Sequence, residues 1–165
     1  MINSDKYFSK DLIEIGLDVE SDQEAIRKLS LLLYKQGYVK KSFSYAAIER
    51  EKVFATGLPC ELCGIAIPHT DPVHVIEMAI AIGVLKNSIK FGMMGGTEKI
   101  DVDLIFLLAL KDCDSQIKIL KKFADFFSKN EELTKIRSAS SSDQILQVME
   151  NYFYQSDWKG NLIND

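Results

Sequence analysis

Two apolar runs constrain this chain more than anything else in it. Residues 78–85 are apolar apart from Gly83, and residues 102–110 apart from Asp103. A strand with one face in water alternates apolar and polar side chains, whereas a run without alternation must be covered on both faces. Both segments therefore read as buried strands of a sheet with helices packed on either side. Neither approaches the roughly 18 residues that a membrane-spanning helix needs.

The flanking segments supply the helices. Ser21 and Glu24 form a capping box, a hydroxyl followed three residues later by a carboxylate. Ala25, Ile26, Leu29, Leu32 and Leu33 then recur at helical spacing until Gly37 stops the run. A second helix is expected from near Ser42 through Tyr45, Ala46, Ile48 and Val53. Its polar stretch is Glu49-Arg50-Glu51-Lys52, and Thr56-Gly57-Leu58-Pro59 breaks it. Asp114 is the expected N-cap of a helix with Ile117, Leu120, Phe123, Ala124 and Phe127 on one face. A last helix holds Ile145, Leu146, Val148 and Met149. Shorter strand signals lie at residues 13–19, an edge strand, at Gly64-Ile65-Ala66-Ile67, and at residues 89–91 before a loop with Gly92, Gly95 and Gly96.

Helices around a mixed sheet is the coarse architecture. With 165 residues, 47% of them hydrophobic, the chain suits one compact domain, assigned to residues 7–150. The tail, residues 151–165, carries Tyr152, Tyr154, Trp158 and Leu162. That is too aromatic for a plain disordered end, and it is expected to pack on the domain or against another copy.

A net charge of −4 argues against nucleic acid as the main partner, because that role needs clustered Lys and Arg. Three cysteines, Cys60, Cys63 and Cys113, do not read as a disulfide framework. No apolar signal core follows the first six residues. A soluble protein of a reducing cytoplasm is the expectation.

The two histidines, His69 and His74, share one loop. Pro68 lacks an N–H and fixes its φ, so the preceding strand should stop there and leave His69 opening the loop. A neutral imidazole is abundant at pH 7 and nucleophilic enough to accept a phosphoryl group, provided one ring nitrogen is free while the other donates a hydrogen bond that fixes the tautomer. Taken alone, these residues fit a surface or structural histidine at least as well. Cys60-x-x-Cys63 and His69-x4-His74 also contain the residue types of a zinc site. Only five residues separate Cys63 from His69, however, and they include a strand that would carry the pairs apart. Small buried hydrophobes are the preferred reading of Cys60 and Cys63.

Glu49-Arg50-Glu51, Thr56-Gly57 and Gly64-Ile65-Ala66-Ile67-Pro68-His69-Thr70-Asp71 together resemble the fructose/mannitol-type enzyme IIA domain of the bacterial sugar phosphotransferase system. The resemblance extends in element order from about Asp11 to Glu150. It implies an α/β fold with a mixed, mainly five-stranded sheet flanked by helices, and a phosphohistidine at His69. It further implies phospho-HPr as donor to Nε2 of His69, a cysteine of a sugar-specific enzyme IIB as acceptor, and the membrane enzyme IIC as an indirect partner. No cofactor or metal is implied. Arg50 matches the arginine that the family places beside its histidine, where a forked cation would hold phosphoryl oxygens. The alternative for Arg50 is an exposed helix residue paired with Glu49 or Glu51.

Many relatives have a second active-site histidine where Gln116 stands here. A glutamine can donate a hydrogen bond to a phosphoryl oxygen but cannot exchange a proton, and a place in the first helical turn favours anions. Gln116 together with His69-Thr70-Asp71-Pro72-Val73-His74-Val75 looks more like the galactitol-type branch. His74 is then either a second imidazole at the site or a cap of the next strand. A regulatory domain that controls a transcription regulator or a transporter through its phosphorylation state is the alternative function.

Overall fold

The computed structural model describes residues 7–154. A 3-10 turn leads into β1 (Ile13–Leu17), followed by α1 (Asp22–Lys35), α2 (Phe43–Val53), β2 (Gly57–Pro59) and β3 (Gly64–Ala66). After a second 3-10 turn, Pro72–His74, come β4 (Ala79–Gly92), β5 (Lys99–Ala109), α3 (Cys113–Phe127), α4 (Asn130–Arg137) and α5 (Ser142–Phe153). The five strands form one mixed sheet in the order β1-β4-β5-β3-β2. β4 and β5 pair antiparallel at its centre, with β1 parallel to β4 and β3 parallel to β5.

The apolar runs are buried on both faces, as their lack of alternation requires. Ile80, Ile82, Leu104, Phe106 and Leu108 meet α3, α4 and α5 on one side. Ala79, Ala81, Ile105, Leu107 and Ala109 meet α1 and α2 on the other. The first face takes bulk: Phe106 lies 5.2 Å from Phe123, and Phe123 lies 4.8 Å from Phe153, between ring centroids. The second face carries alanines, so α1 sits close to β4 and β5, and α2 packs beside α1.

Helix ends follow their local chemistry. Ser21 Oγ accepts the Glu24 N–H at 3.2 Å, while the Glu24 carboxylate reaches back to the Glu20 N–H at 3.0 Å. Gly37, at φ +83°, closes α1, with the Tyr38 N–H on the Leu33 carbonyl.

Several boundaries differ from the sequence reading. Asp112, not Asp114, caps α3, because its carboxylate reaches the Ser115 N–H at 2.7 Å. The expected strand at residues 89–91 is the far part of β4, separated from the near part by a bulge between Val84 and Ile89. Asp103, opposite the bulge, accepts from the Ser88 hydroxyl at 2.6 Å. β2 and α4 have no counterpart in the sequence reading. Tyr154 packs on the domain, its hydroxyl accepting the Tyr7 and Phe8 N–H groups at 2.9 and 3.2 Å. Trp158 and Leu162 lie outside the described residues. Among the described residues, no helix is long and apolar enough to cross a membrane.

Candidate functional site

β3 ends at Ala66, but the chain continues alongside β5: the Leu108 N–H donates to the Pro68 carbonyl at 2.9 Å, and His69 bridges to Leu108. This alignment carries a half-buried imidazole past the strand end into an open depression of about 480 Å³, whose lining includes Arg50, Phe54, Thr56 and Met94. His69 Nδ1 stands 2.9 Å from the Ile67 carbonyl. A carbonyl only accepts, so Nδ1 must carry the proton and Nε2 keeps its lone pair. Burial lowers the His69 pKa, and the Arg50 charge acts in the same direction against the opposing Ile67 hydrogen bond. The imidazole is thus neutral and tautomerically defined at pH 7.

Arg50 lies on the exposed side of α2. Glu49 is taken by Lys52 at 2.8 Å and Glu51 by Thr56, so neither serves as its partner. Among the described residues no carboxylate lies within 4.0 Å of Arg50; its guanidinium stacks 4.9 Å from the Phe54 ring centroid. A planar cation with uncommitted donors, beside a neutral nucleophile, is suited to an incoming dianionic oxygen cluster.

Gln116 reaches the same loop from another direction. Its Nε2 donates to the Thr70 carbonyl at 3.5 Å, next to His69. Its backbone N–H is already bonded to the Asp112 carbonyl, so only its side chain is available to a ligand. His74 is placed elsewhere: its Nδ1 lies 2.8 Å from Ser42 Oγ at the start of α2, and its carbonyl accepts the Lys40 N–H. Neither Gln116 nor His74 lines the depression. Cys60 and Cys63 flank the β2–β3 turn, their thiol pKa values raised by burial, that of Cys63 to about 11. Among the described residues, no three His, Cys, Asp or Glu side chains are gathered to hold a metal ion.

Sequence reasoning missed a buried network behind His69. Glu51, 6% exposed, accepts from the Thr56 N–H and hydroxyl at 2.8 Å each, and the Thr56 hydroxyl oxygen accepts the Ile67 N–H at 3.2 Å. Burial pushes the Glu51 carboxyl up to about 7, although the Thr56 hydrogen bonds pull the other way. The only sequence signal was a carboxylate on the inward side of a short helix.

The site thus brings together, at a strand end of the five-stranded mixed sheet, an oriented histidine and an arginine that has no carboxylate partner among the described residues. Residues 6–152 match the family "Phosphoenolpyruvate-dependent sugar phosphotransferase system, EIIA 2", and the chain belongs to it. A mannitol-specific phosphotransferase enzyme IIA component of Staphylococcus aureus is 32% identical over 146 residues, covering 87% of this chain and 94% of that protein. A galactitol-specific EIIA component of Escherichia coli is 26% identical over 109 residues, 66% of this chain and 73% of its own length. The transcriptional regulator ManR of Bacillus subtilis is 29% identical over 143 residues, but the chain spans only 20% of it. The fold matches the crystal structure of the Escherichia coli mannitol IIA protein with a TM-score of 0.71 at 20% identity, over 86% of this chain and 98% of that one. It also matches the Escherichia coli IIA protein solved in complex with phosphorylated mannitol enzyme IIB, with a TM-score of 0.73 at 20% identity, over 87% and 97% of the two chains.

Proposed function

We propose that this protein is a phosphocarrier whose acceptor atom is Nε2 of His69. The observation that carries this is the Nδ1 contact with the Ile67 carbonyl, which leaves Nε2 as the nucleophile beside Arg50. Nε2 attacks phosphorus in phospho-HPr, the bond from phosphorus to the donor breaks, and Nδ1 keeps its proton throughout. Arg50 holds the phosphoryl oxygens during arrival and departure. A cysteine of a sugar-specific enzyme IIB then takes the group, and His69 returns to its neutral form.

The surroundings suit a protein partner better than a free sugar. Val53, Phe54 and Met94, 72%, 60% and 43% exposed, line the depression, and an exposed apolar rim is what a docking macromolecule covers. The names of the mannitol- and galactitol-specific relatives point to a polyol as the sugar finally phosphorylated. The ManR match favours a second reading, in which the phosphorylation state of the domain is read by a regulator.

Incubation with phosphoenolpyruvate, enzyme I and HPr, followed by mannitol- or galactitol-type enzyme IIB, separates these readings. Transport predicts one acid-labile phosphoryl group that chases onto enzyme IIB. Regulation predicts labelling that no enzyme IIB drains. An unlabelled protein contradicts both.

A further inference from the structure

We propose that Thr56 and Glu51 are positioning residues that aim Nε2 of His69, an inference that rests on the phosphocarrier reading above for its kinetic consequence. Ile67 is the first residue beyond β3, where the β2–β3 ladder has ended. Its N–H would otherwise be a buried donor without a ladder partner, and the Thr56 hydroxyl supplies the acceptor at 3.2 Å. A hydroxyl has one proton. Glu51 takes it at 2.8 Å, which turns the lone pairs of Thr56 Oγ1 toward Ile67 and gives the chain of bonds a single direction. On the far side of the same residue, the Ile67 carbonyl accepts the Nδ1 proton of His69. One residue is thus clamped on its N–H side by Thr56 and uses its carbonyl side to fix the imidazole tautomer.

The same carboxylate anchors the helix that bears Arg50. Glu51 is its neighbour on α2, so the network ties the arginine's helix to the histidine's strand end. Burying a carboxyl is costly, and the raised Glu51 pKa reflects that cost. The groups it serves are the Thr56 N–H and hydroxyl, and through them the Ile67 backbone.

The test compares Thr56→Val, Thr56→Ser and Glu51→Gln with the wild type. Long-range 1H–15N spectra of the unphosphorylated protein at pH 8 read the His69 tautomer, and rapid-quench uptake from phospho-HPr reads rate and apparent KM. The wild type and Thr56→Ser are expected to hold the proton on Nδ1. Thr56→Val and Glu51→Gln are expected to show mixed tautomers and a maximal uptake rate at least about tenfold lower, with donor KM little changed, since misaiming a nucleophile affects the reaction more than encounter. A folded Thr56→Val with wild-type tautomer and rate would overturn the proposal. Loss of fold in both Thr56→Val and Glu51→Gln would assign the network to stability alone and overturn it equally. A wild type that takes no phosphoryl group would contradict the phosphocarrier reading, while the tautomer comparison would still decide the positioning role.

Discussion

Arg50 shares the depression with His69, whereas Gln116 bonds to the backbone of the next residue, and their loss should be felt differently. The guanidinium brings a full charge into the depression and, among the described residues, has no carboxylate partner to leave behind. Removing a preorganised donor of that kind typically slows a reaction about 10²–10³-fold. Gln116 offers one neutral contact, at 3.5 Å, to the Thr70 carbonyl, and such a bond contributes about 1 kcal/mol net, or less than about tenfold. Rapid-quench kinetics should therefore show Arg50→Ala far slower than Gln116→Ala in phosphoryl uptake; equal effects would mean that Gln116 also faces the phosphoryl oxygens. Glu51 gives a prediction in pH. Its carboxyl is raised from 4.5 to about 7 in the fold, chiefly by burial, with the Asp22 charge acting in the same direction. The native protein thus binds this proton more tightly than the unfolded chain, and stability is lost as pH rises from about 4.5 to 7. A tenfold difference in proton affinity is worth about 1.4 kcal/mol, so the loss across that window is on the order of 3 kcal/mol. Glu51→Gln should flatten that part of the profile in urea unfolding measured between pH 4.5 and 7.5. His69, whose pKa is lowered, contributes the opposite slope near its ordinary pKa of 6.5 and is common to both proteins.

Among the elements, β3 leads into His69 and α3 brings Gln116 to the Thr70 carbonyl, and each depends on one small choice of residue. β3 lies so close to β5 that a Cβ on Gly64 would collide with the Asp101 carbonyl oxygen, a backbone atom that cannot swing aside. Gly64→Ala should destabilise the protein by about 1–3 kcal/mol in denaturant unfolding and also slow phosphoryl uptake, because β3 leads directly to His69. A variant with wild-type stability would contradict this packing. The α3 N-terminus makes a complementary case: Asp112→Ala should lose about 1 kcal/mol, and Asp114→Ala much less. The sequence offers both aspartates two residues apart ahead of the same apolar face. Only the backbone decides which one is extended, and Asp112 sits three residues before the Ser115 N–H it accepts. β2 and α4 were illegible for a related reason. Three residues give no alternation to read in β2, and α4 turns only Leu133 and Ile136 fully inward.

Across the molecule, the two unalternating runs pointed to a sheet covered on both sides, because a strand without alternation leaves an apolar face in water unless both faces are packed. Strand order was another matter, since nothing in residues 57–66 alone says that β3 lies beside β5. The site was legible only in part. Pro68 placed His69 at a strand end, but Arg50 was singled out through family resemblance, and His74, expected as either a second imidazole or a cap of the next strand, has its Nδ1 on Ser42 and lies outside the lining of the depression. The Glu51–Thr56–Ile67 network spans a helix, a break and a strand end, so its meaning exists only once the chain is folded. The phosphocarrier proposal requires the fold to deliver a bare Nε2 of His69 to a phosphoryl donor. The most direct test is 15N–31P correlation NMR of the protein after labelling by phosphoenolpyruvate, enzyme I and HPr, with His69→Gln as control. A single phosphoryl group on Nε2 of His69, absent from a folded His69→Gln, is the expected result; phosphorus on Nδ1, on His74, or on the folded His69→Gln variant would contradict it.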